Sequence, residues 1–113
     1  MFKDFASEIN QLHAGICSAL ADPKRILILY TLAERTYTVN DLVRKVGFSQ
    51  PTTSRHLKVL RMSGLVTAIR RGSNVEYSLK DHRLIEALDL LRDILHDKLA
   101  HQADLVSDKN NND

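Results

Sequence analysis

Residues 38–62, TVNDLVRKVGFSQPTTSRHLKVLRM, constrain this chain more than any other stretch. They hold two short helical patterns separated by Gly47-Phe48-Ser49. Thr38 stands where a first helix would start, with Asp41 three positions on, a variant of the capping box. Leu42, Val43 and Val46 give that helix an apolar side, and Gly47 can take the left-handed conformation that closes it. Ser49 is placed to cap a second helix. Pro51 falls in its first turn, where a missing N–H costs little. Thr53, Leu57 and Leu60 recur at i, i+4 and i+7 and form the inward face. Pro51, Arg55, Lys58 and Met62 then point outward, with Thr52 and Ser54 on the flanks. His56 falls at the edge of the core face and reads as structural. Gly64 marks the end of the helix. Two helices joined by a tight turn, the second with basic and amide side chains outside, form a helix-turn-helix.

Charge supports this reading. Residues 42–75 hold no Asp or Glu but carry Arg44, Lys45, Arg55, Lys58, Arg61, Arg70 and Arg71, a local balance of +7. Residues 1–41 balance at −1 and residues 76–113 at −4, so the total of +2 hides a strongly basic middle. A solvated surface mixes both signs. A segregated basic stretch is the footprint of a surface that meets a polyanion such as DNA.

The rest of the chain builds a scaffold around that motif. The length of 113 residues suggests one domain, here residues 1–106, followed by a disordered tail over residues 107–113, SDKNNND. With 43% hydrophobic and 5% aromatic residues, the core must be mainly aliphatic. Cys17 is the single cysteine, so no intramolecular disulfide can form, which suits a reducing cytoplasm. MFKDFASEIN lacks the apolar run of a signal peptide, and nothing approaches the roughly 18 apolar residues of a membrane span. Phe5, Ile9, Leu12, Ile16 and Leu20 predict an amphipathic helix over 4–20. Asp22-Pro23 caps and opens the next helix. Its Ile26, Leu27, Ile28, Leu29, Tyr30 and Leu32 cover nearly the whole circumference and put it at the centre.

After the helix-turn-helix, Leu65, Val66, Thr67 and Ile69, and then Val75, Tyr77 and Leu79, read as two strands around a Gly72-Ser73-Asn74 turn. A hairpin tipped with Arg70, Arg71 and Asn74 beside such a motif is a wing, which reaches the neighbouring backbone or minor groove. A last helix over 81–105 carries Leu84, Leu88, Leu91, Leu95 and Leu99 in one sector. The first and last helices present more apolar surface than the rest can cover, which calls for a second copy of the chain. The fold class is therefore mainly α with a small β-hairpin, a winged helix-turn-helix in the order α-α-α-α-β-β-α, forming a homodimer. Leu88, Leu91, Leu95 and Leu99 are expected to pack with Phe5, Ile9, Leu12 and Ile16 across the two-fold axis. Gln50, Thr52, Ser54 and Arg55 are expected to read bases, since Gln suits adenine and Arg suits guanine. Lys58, Arg70, Arg71 and Asn74 complete the DNA-binding set.

The segments ALADPKRILILYTLAE, VNDLVRKVGFSQPTTSRHLKVLRMSGLV and RRGSNVEYSL resemble the ArsR/SmtB family of bacterial winged helix-turn-helix repressors. The resemblance covers most of the chain, roughly residues 16–95. It implies a homodimer built on the first and last helices, binding an imperfect inverted repeat in double-stranded DNA and blocking transcription. In many relatives a metal ion or a thiol oxidation releases the DNA. Those effector sites do not carry over cleanly. One sensor type uses Cys-x-Cys where this chain has Val39-Asn40-Asp41-Leu42, and thiol switches need two cysteines. A second type uses Asp-x-His near the start of the last helix with two later ligands. One register places Asp81, Arg83, Ile94 and Asp97 there, and neither Arg83 nor Ile94 can bind zinc. Shifting by one gives His82, Asp93 and His96, with Lys80 in place of the acid.

His82, Glu86, Asp89, Asp93 and His96 also share a polar helix face whose imidazoles and carboxylates suit zinc or a similar divalent ion. The plain alternative is a solvated acidic face. His13 and Cys17 lie one turn apart, a spacing shared by chelating pairs and by a half-buried thiol beside a surface imidazole. The chain has no phosphate loop, nucleophile elbow or HExxH, so it does not read as an enzyme. A DNA-binding repressor leads. The alternatives are a repressor of this fold sensing metal through its last helix, and a protein-interaction module without DNA.

Overall fold

Asp22 and Pro23 open the helix on which the core is built. The Lys24 N–H donates to Asp22 Oδ1 at 2.8 Å, so the cap supplies the acceptor that a helix start lacks. The computed structural model describes the backbone of residues 2–111 and the side chains of residues 4–107. The order is α1 (Phe2–Gly15), a 3-10 turn (Cys17–Leu20), α2 (Pro23–Glu34), β1 (Tyr37–Thr38), α3 (Val39–Val46), α4 (Gln50–Met62), β2 (Val66–Arg71), β3 (Asn74–Leu79) and α5 (Arg83–Asn111). The chain divides into two compact units, Met1–His82 and Arg83–Asp113.

In the first unit α2 touches the 3-10 turn, α3, α4 and β3. Its Ile28 and Leu29 are fully buried, as are Leu42 of α3 and Leu60 of α4. The centre is therefore aliphatic, as the composition requires. The sequence has α2 buried all round, but Leu27 is 55% exposed, because neighbours cover only part of the helix. The sequence also predicts one helix over 4–20, whereas α1 ends at Gly15 and the chain tightens into the 3-10 turn. Glycine disfavours continuation by about 1 kcal/mol. The turn is then held from outside, because Arg25 takes the carbonyls of Ser18 and Ala19.

The sheet is antiparallel in the order β1-β3-β2. The connector at Tyr37 is a two-residue strand, with Tyr37 opposite Tyr77 and Thr38 opposite Glu76. The hairpin is longer than its apolar residues suggest. Arg70 pairs with Val75 and Arg71 with Asn74, so only Gly72 and Ser73 form the turn. Gly72 has φ of 63° and no described non-glycine residue has positive φ, the pattern of a II′ hairpin turn, which suits twisted strands.

The second unit is α5, 29 residues and about 44 Å long at the usual rise. It starts two positions after the predicted start and runs beyond residue 105 to Asn111. The tail expected at residues 107–113 thus begins within helical backbone, and residues 112 and 113 lie outside the described residues. No helix among the described residues is long and apolar enough to cross a membrane.

Candidate nucleic-acid interface

Three local features fix the two helices of the motif. The Asp41 N–H donates to Thr38 Oγ1 at 3.2 Å and starts α3. Gly47 closes α3 at φ of 80°, its N–H on the Val43 carbonyl at 2.9 Å. Ser49 caps α4, accepting from the Thr52 N–H at 3.3 Å. Its hydroxyl also donates to Thr52 Oγ1 at 2.9 Å. Phe48 in the turn lies 5.6 Å from the Lys24 ammonium, a cation–π contact that ties the turn to α2.

These anchors decide which side of α4 faces out. Thr53, Leu57 and Leu60 are buried to 1% exposure or less, and the Thr53 hydroxyl donates to the Ser49 carbonyl at 2.9 Å. Gln50, Pro51, Ser54, Arg55 and Lys58 are exposed, Thr52 is half-buried, and Met62 is 79% exposed. The outer face of the helix thus carries amide, hydroxyl and basic groups and no acid.

The structure brings two further groups beside that face. A cleft of about 260 Å³ is lined by Val39 and Asn40 at the start of α3, Gln50 at the start of α4, and Ser73 and Asn74 of the wing. A larger open groove of about 550 Å³ runs between α4 and β3, lined by Ser54, Lys58, Arg61, Met62 and Tyr77. Arg61 was not among the sequence's site residues. Its position one turn beyond Lys58, on the flank already marked by Ser54, is the signal that could have found it. In the wing, Arg71 Nε lies 3.0 Å from Glu76 Oε2, while Arg70 makes no ion pair among the described residues. Glu76 stands one position past the acid-free stretch and lowers the charge of the wing tip.

His56 is buried at 5% exposure, as its place beside the core face suggested, but it is not alone. Its Nδ1 lies 3.3 Å from Arg25 Nη1 and its Nε2 3.9 Å from Asp22 Oδ2. Burial holds the imidazole below its ordinary pKa. The Asp22 charge opposes this, and Arg25, Arg55 and Lys24 reinforce it. Asp22 itself is lowered first by the hydrogen bond from the Lys24 backbone, then by the cations around it, against some desolvation.

The expected dimer residues split between the units. Phe5, Ile9 and Leu12 on α1 are 44–59% exposed, and Ile16 is half-buried. On α5, Leu91, Leu95 and Leu99 are 49–59% exposed and Leu88 is buried. The possible metal ligands His82, Asp93 and His96 do not converge. Among the described residues no group of three His, Cys, Asp or Glu side chains is placed to hold an ion.

Residues 22–68 match the family model described as bacterial regulatory protein, arsR family. The chain is 39% identical over 90 residues to the nodulation protein NolR of Rhizobium meliloti, spanning 80% of this chain and 74% of that protein. It is 42% identical over 77 residues to the transcriptional repressor SmtB of Mycobacterium tuberculosis, spanning 68% of this chain and 57% of that protein. Its fold matches the solution structure of a homodimeric winged helix-turn-helix DNA-binding domain from Mycobacterium bovis. The TM-score is 0.73 at 28% identity, over 85% of this chain and 88% of that one. The exposed face of α4, the wing beside it and these likenesses agree: the chain belongs to the arsR family of bacterial regulatory proteins and is a winged helix-turn-helix DNA-binding transcriptional regulator.

Proposed function

We propose that the chain acts as a cytoplasmic, homodimeric repressor that binds an imperfect inverted repeat, and that it regulates rather than catalyses. The observation that carries this is the outer face of α4. It presents Gln50, Thr52, Ser54, Arg55 and Lys58, while the other face is locked by fully buried residues. In this reading Gln50, Thr52, Ser54 and Arg55 meet base edges in the major groove. Lys58 and Arg61 hold the backbone along the groove beside β3. Arg70 and Asn74 of the wing contact a neighbouring phosphate or the minor groove, with Arg71 sharing its charge with Glu76. Two copies of α4 held about 34 Å apart reach successive major grooves on one face of DNA.

The exposed stripes of α1 and α5 supply the apolar surface for the two-fold contact. Selection of bound duplexes from a random pool tests the whole reading. Two related half-sites about one helical turn apart are expected. Recovery of unrelated duplexes at equal affinity would favour the protein-interaction alternative instead.

A further inference from the structure

Arg25 sits on the first turn of α2 and joins three elements. Its Nε–H donates to the Ala19 carbonyl at 2.6 Å and its Nη2 to the Ser18 carbonyl at 3.3 Å, both on the 3-10 turn that follows α1. Its Nη1 lies 3.3 Å from His56 Nδ1 on α4. A guanidinium has only donors. The approach is a hydrogen bond only if Nδ1 keeps its lone pair, which makes the ring neutral with its proton on Nε2, on the Asp22 side. Ala19 is 1% exposed and His56 5%, which leaves little room for water to replace the bond.

We propose that Arg25 is a positioning residue for DNA reading: through neutral His56 it latches α4 to the turn that ends the α1 arm, and protonation of His56 opens the latch. The inference rests on the DNA-reading role of α4. His56 adjoins Arg55 and lies one turn from Thr52, so a tilt at the latch moves both. Recognition groups must be held to within about 0.5 Å to work. The α1 arm carries exposed apolar residues assigned to the second chain, so the same guanidinium ties the dimer arm to the reading helix.

Burial of the ring sets the direction, and the charges facing it act on top of that. Asp22, before α2, favours the protonated form. Arg25 and Lys24 of α2 and Arg55 of α4 oppose it, and the 3-10 turn brings carbonyls but no charged side chain. The folded pKa therefore lies below the ordinary value of about 6.5. Stability from the neutral latch is complete above that value. It is lost as pH falls through it toward the lowered folded value. By linkage, a duplex that requires the closed latch must lower the His56 pKa further. Overall charge acts on specific and non-specific binding alike. The ratio of specific to non-specific affinity isolates the latch.

The experiment measures that ratio at pH 7.5 and 5.5, using the best duplex from a random pool and a scrambled duplex of equal length. In the wild type it should fall several-fold at the lower pH: a one-unit pKa difference between free and bound states gives about tenfold per chain only at pH well below both values. His56→Gln keeps an acceptor for Arg25 but cannot gain a proton, so its ratio should be flat. Arg25→Lys keeps the charge but cannot span both carbonyls and the ring. It should lose about tenfold in the ratio at pH 7.5 with scrambled-duplex binding little changed, while the thermal midpoint falls because buried acceptors lose their donor. An NMR titration of His56 in the wild type, free and bound, should show a lower pKa when bound, and it decides the matter if His56→Gln does not fold. A pH-independent ratio in the wild type, or a His56 pKa indifferent to the duplex, overturns the latch alone. No preference over scrambled DNA at either pH overturns the DNA reading and the latch together.

Discussion

Arg55 and Arg70 are both exposed cations, yet their loss should fail in different ways. Arg55 is aimed from the first half of α4, where side chains meet base edges. Arg55→Ala should cost about 1–3 kcal/mol and relax preference at one base pair per half-site, read by repeating the duplex selection with the variant. Uniform weakening across all sequences would reassign Arg55 to phosphate. Arg70 should act on the backbone alone. In a symmetric dimer Arg70→Ala should reduce the slope of log affinity against log salt by roughly 2, with sequence preference kept. Arg71→Ala should change it less, because Arg71 already shares its charge with Glu76. If the double variant leaves the slope unchanged, the wing does not touch DNA. The caps at Thr38, Gly47 and Ser49 could be read from sequence because each acts within a few positions of itself. The partners of His56 could not, since Arg25 lies 31 positions away and only the packing of α2 on α4 brings them together.

Two glycines should respond in opposite senses, and the reason lies in the helices they end. Gly47 closes α3 at φ of 80°, and a Cβ there would meet nothing within 4 Å, so the cost of Gly47→Ala is purely conformational. It should destabilise by about 1–2 kcal/mol in chemical denaturation. Gly15 ends α1 without positive φ and with equally open surroundings, so Gly15→Ala should be neutral or stabilising by up to about 1 kcal/mol. A loss there would mean that the break in α1 has a function of its own. That break is where sequence periodicity misled: Ile16 and Leu20 continue the apolar stripe of α1, but Gly15 weakens the helix and the bonds from Arg25 hold the turn that follows. The wing was read correctly as a hairpin. Its extra paired residues were missed because Arg70, Arg71 and Asn74 lack the apolar alternation that marks a strand.

In the proposed reading the regulator works only when two chains meet. Leu91 is 59% exposed on α5, and an Asp in its place would cost little in one chain but would bury an unpaired charge against a second. Leu91→Asp should give a monomer in sedimentation equilibrium and lose specific operator binding with α4 chemically intact. A variant that stays dimeric and binds normally would place the contact elsewhere. The sequence showed this need through stripes too long for one small core, but it could not show which chain answers it. The bare leucines of α5 also bear on gene control. Where most chains are apart, the concentration of the DNA-binding species rises with the square of the chain's abundance. Halving the supply then leaves about a quarter of the operator complexes. In that regime a gradual change in synthesis or degradation becomes a steeper change in operator occupancy.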